Sequence, residues 1–477
     1  MQAEINYKRF PENNMKRFLS LLICAVIIIA SAFPAAASTY PMGPAQKGVP
    51  DNVRMAGVTL PMMQASYWDT YPGSDVTLMT LAEIRAENDA NIHNSACCMN
   101  DLSALPETFD GIKMRANLAN FEDQGKLYLN GELLPASFYD RYRANIAGAR
   151  AAEVMNTGYG FCTNRSSLKS IPNPEWLADD PTDPEWDNTV LAPVLVNEPL
   201  AAYLSTADGA FTYVKTECCE GWMPTADLVL CHSKAEWEEA RDPEQFLVVT
   251  GPEVITEESY VGAHSQRILE MGVKLALSDE PVQTVDNRWD WCNYVVYFPG
   301  RGADGLFEKQ KMLIPFGADV SVGYLRYTQK NVIDLAFKCV GKRYGWGGSM
   351  NAQDCSSFAR EIYLCFGFIL PRNTTWQGRM KATVIDLTGM DAKNKEAALD
   401  RAAPGSILQF PGHEMIYIGH KDGRHYTVND VSSLAEDTVD GLKKRRVRSV
   451  VVNSLEDTKR ANGKTWYNEL STIITLP

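Results

Sequence analysis

Three side chains at separated places in this 477-residue chain have the types and order needed for nucleophilic catalysis: the thiol of Cys355, the imidazole of His413 and the carboxamide of Asn429. Asp354 is a suitable helix N-cap, and Phe358, Ile362 and Phe366 follow at helical spacing. Cys355 is therefore expected in the first turn of an apolar helix. There the positive end of the helix dipole favours a thiolate and lowers the thiol pKa, and the first N–H groups are placed to hold an oxyanion. Taken alone, Cys355 fits a buried structural cysteine equally well, which is the expected role of Cys339 and Cys365.

A thiol nucleophile needs a base. The chain has six histidines, and three of them, His413, His420 and His425, fall in PGHEMIYIGHKDGRHYTVNDVSS. Lys421-Asp422-Gly423 is a turn signal between two apolar runs, which predicts a β-hairpin. A tight turn near Asp422 sets His413 opposite a residue between about 429 and 432, and pairs His425 near residue 419 or 420. At ~3.3 Å per residue, His425 then lies more than ~15 Å from His413. His420 sits at the turn itself. The geometry allows His413 and Asn429 to meet and excludes His425 as the direct partner. In the resulting triad Cys355 attacks, His413 shuttles the proton and Asn429 accepts from the far ring nitrogen. Asp430 competes for the third place, but alternation along a strand turns it to the opposite face.

The surrounding chain divides into segments. Lys16 and Arg17 precede an apolar run from Phe18 to Phe33 and an Ala-rich exit at Ala35-Ala36-Ala37, the pattern of a secretory signal peptide over residues 1–37. Its removal takes four basic and two acidic residues, so the formal charge moves from −13 to about −15. Residues 38–150 are expected to be mainly helical after an extended lead-in. A loop holding Pro172, Pro174, Pro181 and Pro184 interrupts regular structure. Short strands at 191–196, 201–204, 211–215 and 222–223, separated by Asp208-Gly209 and Glu220-Gly221, suggest a small barrel over 151–235. A second barrel is expected over 236–327, with one strand at 294–298 closed by Pro299-Gly300. From residue 328 to 477 a helix at 332–340, the YGWGG loop, the Cys355 helix and following strands give an α+β arrangement.

Several motifs in this last segment resemble those of NlpC-type papain-like cysteine peptidases: DCSSF after YGWGG, LPRNTTWQ from Leu370 to Gln377, and PGSILQFPGHEMIYIG from Pro404 to Gly419. They cover about 120 residues in the family's order. The preceding segments resemble the multidomain envelope members, with an N-terminal stabilising segment and bacterial SH3-like domains. NRSSLKSIP at 164–172 and EGWM around Trp222 carry that likeness. The resemblance implies hydrolysis of peptidoglycan stem peptides between γ-D-glutamate and the following diamino acid, in peptides with a free N-terminal L-alanine. It also implies that Tyr344, Asp354 and Ser356 bind the substrate beside the nucleophile, with the Asp354 carboxylate facing the L-alanine ammonium. Many relatives have a third histidine where this chain has Asn429. Whether the diamino acid is diaminopimelate or lysine stays open.

Composition bounds the alternatives. An excess of 59 acidic over 46 basic residues argues against a nucleic-acid partner. KKRRVR at 443–448, between acidic residues and an apolar strand, reads as a charged hairpin edge. No C-x-x-C occurs, so no metal site and no cofactor is expected, and no stable membrane span remains after signal cleavage. Cys97-Cys98 and Cys218-Cys219 leave disulfide formation open. The expected product is an exported enzyme of the periplasm or cell envelope acting on muropeptides. The competing readings are a wall-binding protein with a silent peptidase domain, and a papain-like amidase or acyltransferase.

Overall fold

Local signals at 81–150 are realised as three helices in a mostly irregular segment. In the computed structural model, which describes residues 55–69, 72–260, 262, 264–280 and 284–476, these are α1 (Leu81–Ile92), α2 (Gly111–Ala119) and α3 (Asp140–Ala147). Helix α1 starts at a capping box: the Thr80 side chain accepts from the Glu83 N–H, and the Glu83 carboxylate accepts from the Thr80 N–H at 2.7 Å. The signal-peptide segment, residues 1–37, lies outside the described residues, and no described helix is long and apolar enough to cross a membrane.

The four strands expected in the first all-β segment join three others in one seven-stranded antiparallel sheet. Its members are β1 (Gly158–Cys162), β2 (Ser166–Lys169), β3 (Val190–Val194), β4 (Pro199–Ser205), β5 (Phe211–Lys215), β6 (Glu220–Pro224) and β7 (Leu228–Leu230), in the order β7-β1-β4-β5-β6-β2-β3. No regular element falls between Lys169 and Val190, where the four prolines cluster. Helix α4 (Lys234–Arg241) leads into β8 (Phe246–Val249), β9 (Glu253–Ile255), β10 (Ile268–Glu270), β11 (Lys274–Ala276), β12 (Asn293–Arg301), β13 (Phe307–Pro315) and β14 (Val320–Val322). Strand β12 corrects the expected stop at Pro299-Gly300: Pro299 opposes Lys309, Gly300 opposes Glu308 and pairing continues to Arg301. In a two-stranded ribbon a proline's missing N–H falls on an unpaired edge without breaking the ladder.

The C-terminal segment sets helices against a six-stranded antiparallel sheet. After α5 (Gln329–Lys338) and α6 (Cys355–Leu364) come β15 (Thr383–Asp386), α7 (Ala392–Leu399), β16 (Ile407–Phe410), β17 (His413–Lys421), β18 (Arg424–Thr438), β19 (Gly441–Ser454) and β20 (Thr472–Thr475). The sheet order is β15-β20-β16-β17-β18-β19. Phe358, Ile362 and Phe366 are fully buried in one core with Ile416, Ile418, Val428, Val450 and Val452 of the sheet. Each such side chain contributes roughly 1.5–3 kcal/mol, so α6 is anchored along its length. The opposite sheet face packs Met415, Tyr417, Val431 and Trp466 in a second core.

Candidate active site

The hairpin forms as its turn residues direct. Asp422 and Gly423 both have positive φ, 51° and 72°, the conformation of a two-residue turn that follows the strand twist. Ile416 opposes Val428 and Tyr417 opposes Thr427, and a bulge past Tyr417 brings His420 opposite His425. His413 Nε2 and Asn429 Oδ1 then lie 2.9 Å apart. The amide oxygen only accepts, so Nε2 carries the proton and Nδ1 is the basic nitrogen. Asn429 is itself fixed, its Nδ2 donating to Thr427 Oγ1 at 3.2 Å and to Asn453 Oδ1 at 2.6 Å. The His413 ring packs between Phe410 and Trp466, with centroids at 5.2 and 5.0 Å.

Cys355 opens α6, with Asp354 as the N-cap accepting from the Ser357 N–H at 2.9 Å. Helix α6 packs on β17, so the thiol meets the strand near His413, with the Glu414 backbone N–H favouring its thiolate. The expected lowering of the thiol pKa is corrected by its surroundings. Cys355 is 7% exposed; burial raises its thiol above the usual range, and the nearby carboxyls of Asp354 and Glu414 add to the rise. Burial likewise pulls His413 down to about 4, only partly offset by the Asn429 hydrogen bond. Desolvation of both charges outweighs the helix dipole, so in the free protein the thiol and the imidazole are both neutral.

Asp354 does not present an open carboxylate. Oδ2 accepts from Arg372 Nη2 at 2.6 Å and from the Gly347 N–H at 3.0 Å; Oδ1 accepts from Ser357 N–H, Ser356 Oγ at 3.1 Å and Arg372 Nη1 at 3.3 Å. Burial opposes its charge, yet the Arg372 guanidinium holds the carboxyl below the usual range. Ser356 Oγ also accepts from Arg372 Nη1 at 2.9 Å. Tyr344 is buried and stacks on Trp186 at 6.1 Å and 16°, and Trp186 in turn stacks on Trp346 at 4.7 Å. The proline-rich loop thus supplies an aromatic wall beside the YGWGG loop. A side chain at Gly347 would meet Val190 Cγ1 at 2.7 Å, and one at Gly348 would meet Pro193 Cβ at 2.7 Å; both glycines have positive φ.

Sequence reasoning did not assign several residues that shape this site. Arg372 lies inside the quoted LPRNTTWQ motif, and its pairing with a buried aspartate is visible only in three dimensions. Arg165, in NRSSL, reaches the Gly348 and Ala352 carbonyls at 3.2 and 3.1 Å and pairs with Glu270 of β10. Glu198 accepts from Arg360 of α6 at 2.9 Å, a buried pair joining the seven-stranded sheet to the nucleophile's helix. Tyr213 packs edge-on to Trp222. Asp430 is fully buried with neither carboxylate oxygen hydrogen-bonded, and burial pushes its pKa well above the usual range. Glu414 is buried as well, donated to by Gln409 Nε2 at 2.9 Å, with its pKa raised to about 8 by burial.

The basic run at 443–448 is an edge strand, as expected, but not a merely solvated one. Arg446 reaches Asp180 at 3.3 Å and the Thr182 carbonyl at 3.0 Å, Arg448 pairs with Asp183 and with Glu185 at 3.2 Å, and Arg445 pairs with Glu436 at 2.9 Å. The proline-rich loop is thereby tied to β19. All ten cysteines among the described residues are free thiols.

Comparison with known proteins places this geometry. The NlpC/P60 family matches residues 341–452. Dipeptidyl-peptidase 6 of Lysinibacillus sphaericus is 33% identical over 92 residues, which are 19% of this chain and 30% of that protein. The match spans under a third of the relative's length. Among solved structures, a novel NlpC/P60 endopeptidase from Photobacterium damselae subsp. piscicida superposes with a TM-score of 0.68 at 13% identity, over 86% of this chain and 96% of that one. An NlpC/P60 family protein from Bacillus cereus covers 67% of this chain and all of its own at 18% identity, with a TM-score of 0.44. The first of these shows a shared mixed α and β fold that extends well beyond the matched segment. Residues 341–452, which carry Cys355, His413 and Asn429, form an NlpC/P60 domain.

Proposed function

We propose that the chain is an exported cysteine endopeptidase that cleaves peptidoglycan stem peptides, at the bond between γ-D-glutamate and the diamino acid. The observation that carries this reading is the His413 Nε2 to Asn429 Oδ1 contact of 2.9 Å on a strand against which the Cys355 helix packs. With Nε2 engaged by Asn429, proton exchange with the thiol runs through Nδ1. The thiol proton passes to Nδ1 as Sγ attacks the γ-carbonyl carbon, and the developing oxyanion faces the positive end of α6. His413 then protonates the departing amine of the diamino acid. A water deprotonated by His413 hydrolyses the thioester and returns the proton to the thiol.

Moving the proton within a neutral pair suits this pocket. The charges arise only when substrate covers the site, and the Glu414 N–H offers the thiolate a donor. Tyr344, Asp354 and Ser356 are buried around the start of α6, and Arg372 already fills the Asp354 carboxylate. Asp354 therefore acts through the Gly347 and Ser357 amides, holding the loop and the helix start in register. A preference for free L-alanine rests on the family likeness, and in this chain it requires the ammonium to share Asp354 with Arg372. The envelope setting follows from the signal-peptide pattern over residues 1–37.

The test is digestion of defined muropeptides by purified protein beside Cys355→Ala. Release of the diamino-acid fragment by wild type alone supports the reading, and identical fragments from both proteins refute it. Parallel peptides with free and acetylated L-alanine isolate the amine question, because equal turnover of the two removes the amine preference without touching the peptidase assignment.

A further inference from the structure

The far end of the same hairpin holds a cluster that peptide cleavage does not use. His420 and His425 oppose each other across β17 and β18 just before the turn, and their rings stack with centroids 4.2 Å apart and planes 15° from parallel. His425 is 1% exposed. Its Nδ1 lies 3.0 Å from Glu456 Oε1, a carboxylate oxygen that only accepts, so Nδ1 carries the proton and Nε2 presents a lone pair. His420 repeats the arrangement, with Nδ1 3.0 Å from Asp400 Oδ1. Both Nε2 atoms are buried and neither has a hydrogen-bond partner. Two lone pairs thus lie side by side with no donor for either.

Helix α7 brings carboxylates to the same place. Glu396 Oε1 is 3.8 Å from His425 Nε2, while its Oε2 accepts from the Tyr467 hydroxyl at 2.7 Å and so is held in orientation. Asp400 follows the helix end. Ligand atoms of Glu396, Asp400, His420 and His425 all lie within 4.8 Å of one another. We propose that these four residues form a binding site for a divalent transition metal of the zinc class, clipping the hairpin turn to α7. Imidazole nitrogens with carboxylate oxygens are the donor set such ions take, and a tetrahedral ion with ~2.0–2.1 Å bonds draws its ligands to roughly 3.3 Å apart. Glu456 behind His425 is the outer carboxylate that fixes the tautomer of a metal-bound imidazole.

A cation explains what hydrogen bonding leaves unexplained: two adjacent buried acceptors, each with its proton locked on the far nitrogen. Glu396 and Asp400 are partly exposed, at 41% and 51%, which leaves an entry path from solvent. No short-range cysteine spacing announces the site. Its sequence trace is a pair of histidines flanking a tight turn, completed by two acids one helical turn apart, at 396 and 400. The seven steps along the strand from His413 to His420 span roughly 23 Å, so the ion acts on stability and not on the reacting groups. The inference stands whether or not the chain cleaves peptides.

The test uses the full chain carrying Cys355→Ala, so that the active-site thiol does not bind metal. After chelator treatment, zinc is titrated by calorimetry, bound metal is counted after dialysis, and melting is followed with and without zinc. The expected result is one zinc per chain with a melting temperature that rises with zinc concentration. Adding His420→Gln or Glu396→Gln, both at partly exposed positions that keep the fold, weakens binding by at least ~10-fold and abolishes the thermal shift. His425→Gln does the same if it folds. Absence of saturable zinc binding, or binding unchanged in both surface variants, overturns the proposal.

Discussion

The two ends of the β17–β18 hairpin both present imidazoles to a buried environment, and they differ in what stands behind the ring. At the open end a neutral amide, Asn429, takes the proton of His413 Nε2, and burial pulls the imidazole down to about 4. At the turn end carboxylates, Glu456 and Asp400, take the Nδ1 protons of His425 and His420. An amide orients a ring without stabilising its cation, so His413 stays neutral until a proton is delivered to it. A carboxylate orients the ring and enriches its other nitrogen, which suits holding a positive ion. One strand pair therefore carries two uses of histidine, separated by the chemistry of the partner.

The largest test of this contrast removes the reacting groups of the open end. Cys355→Ala and His413→Ala are each expected to cut kcat for muropeptide cleavage by at least ~10⁴-fold with little change in melting temperature, because the thiol and the imidazole act as a unit. The ionised groups beside them are paired off. Arg372→Ala strips the partner from buried Asp354 and is expected to cost about 3–5 kcal/mol in chemical denaturation. Asp354→Asn on top of it is expected to return part of that loss, which a simple packing defect would not do. Asn429→Ala is expected to lower kcat by ~10²-fold through misorientation of the ring. Asn429→Asp makes the open end resemble the turn end: the new carboxylate favours the imidazolium, and the acid limb of the kcat/KM profile moves to higher pH. An unmoved limb would break the comparison.

Much of the open end was legible from local rules. Asp354 caps, Cys355 follows, and the apolar spacing after it fixes which helix face is buried. A two-residue turn was enough to set the stretch of β18 that faces His413 and to set His425 aside, but the bulge past Tyr417 shifts the register by one and is what turns Asn429, not Asp430, to the His413 face. The rise in the Cys355 pKa was not legible, since it depends on how far α6 and β17 are buried together. Nor was the saturation of Asp354 by Arg372, 18 residues on, or the closure of Arg165 onto Glu270 and of Arg360 onto Glu198, which join segments from separate parts of the chain. The strand through Pro299 escaped for a smaller reason: proline forbids a central position, not a free edge.

Smaller effects follow from titration. Glu414 is held near pKa 8 by burial against an ordinary carboxyl value of 4.5, so the folded chain binds the extra proton between those limits and loses stability as pH rises from about 4.5 to about 8. His413 works in the other direction: its contribution is complete above about 6.5 and is lost as pH falls toward 4. The two slopes offset each other between about 4.5 and 6.5, so stability against pH is expected to be greatest there, and Glu414→Gln should remove the fall from about 6.5 to about 8. The smallest effect is expected from Glu456→Gln at the turn end, which should leave peptide cleavage within about twofold of wild type, since that carboxylate lies a long strand away from His413.

The most direct measurement traps the covalent intermediate. Wild-type protein mixed with a muropeptide and quenched in acid within the first turnover is digested and mapped by mass spectrometry. The expected adduct is the acyl group ending in γ-D-glutamate, held as a thioester on the peptide that contains Cys355 and missing from Cys355→Ala. Fragment release by Cys355→Ala at the wild-type rate, with no acyl group on the Cys355 peptide of either protein, would contradict it.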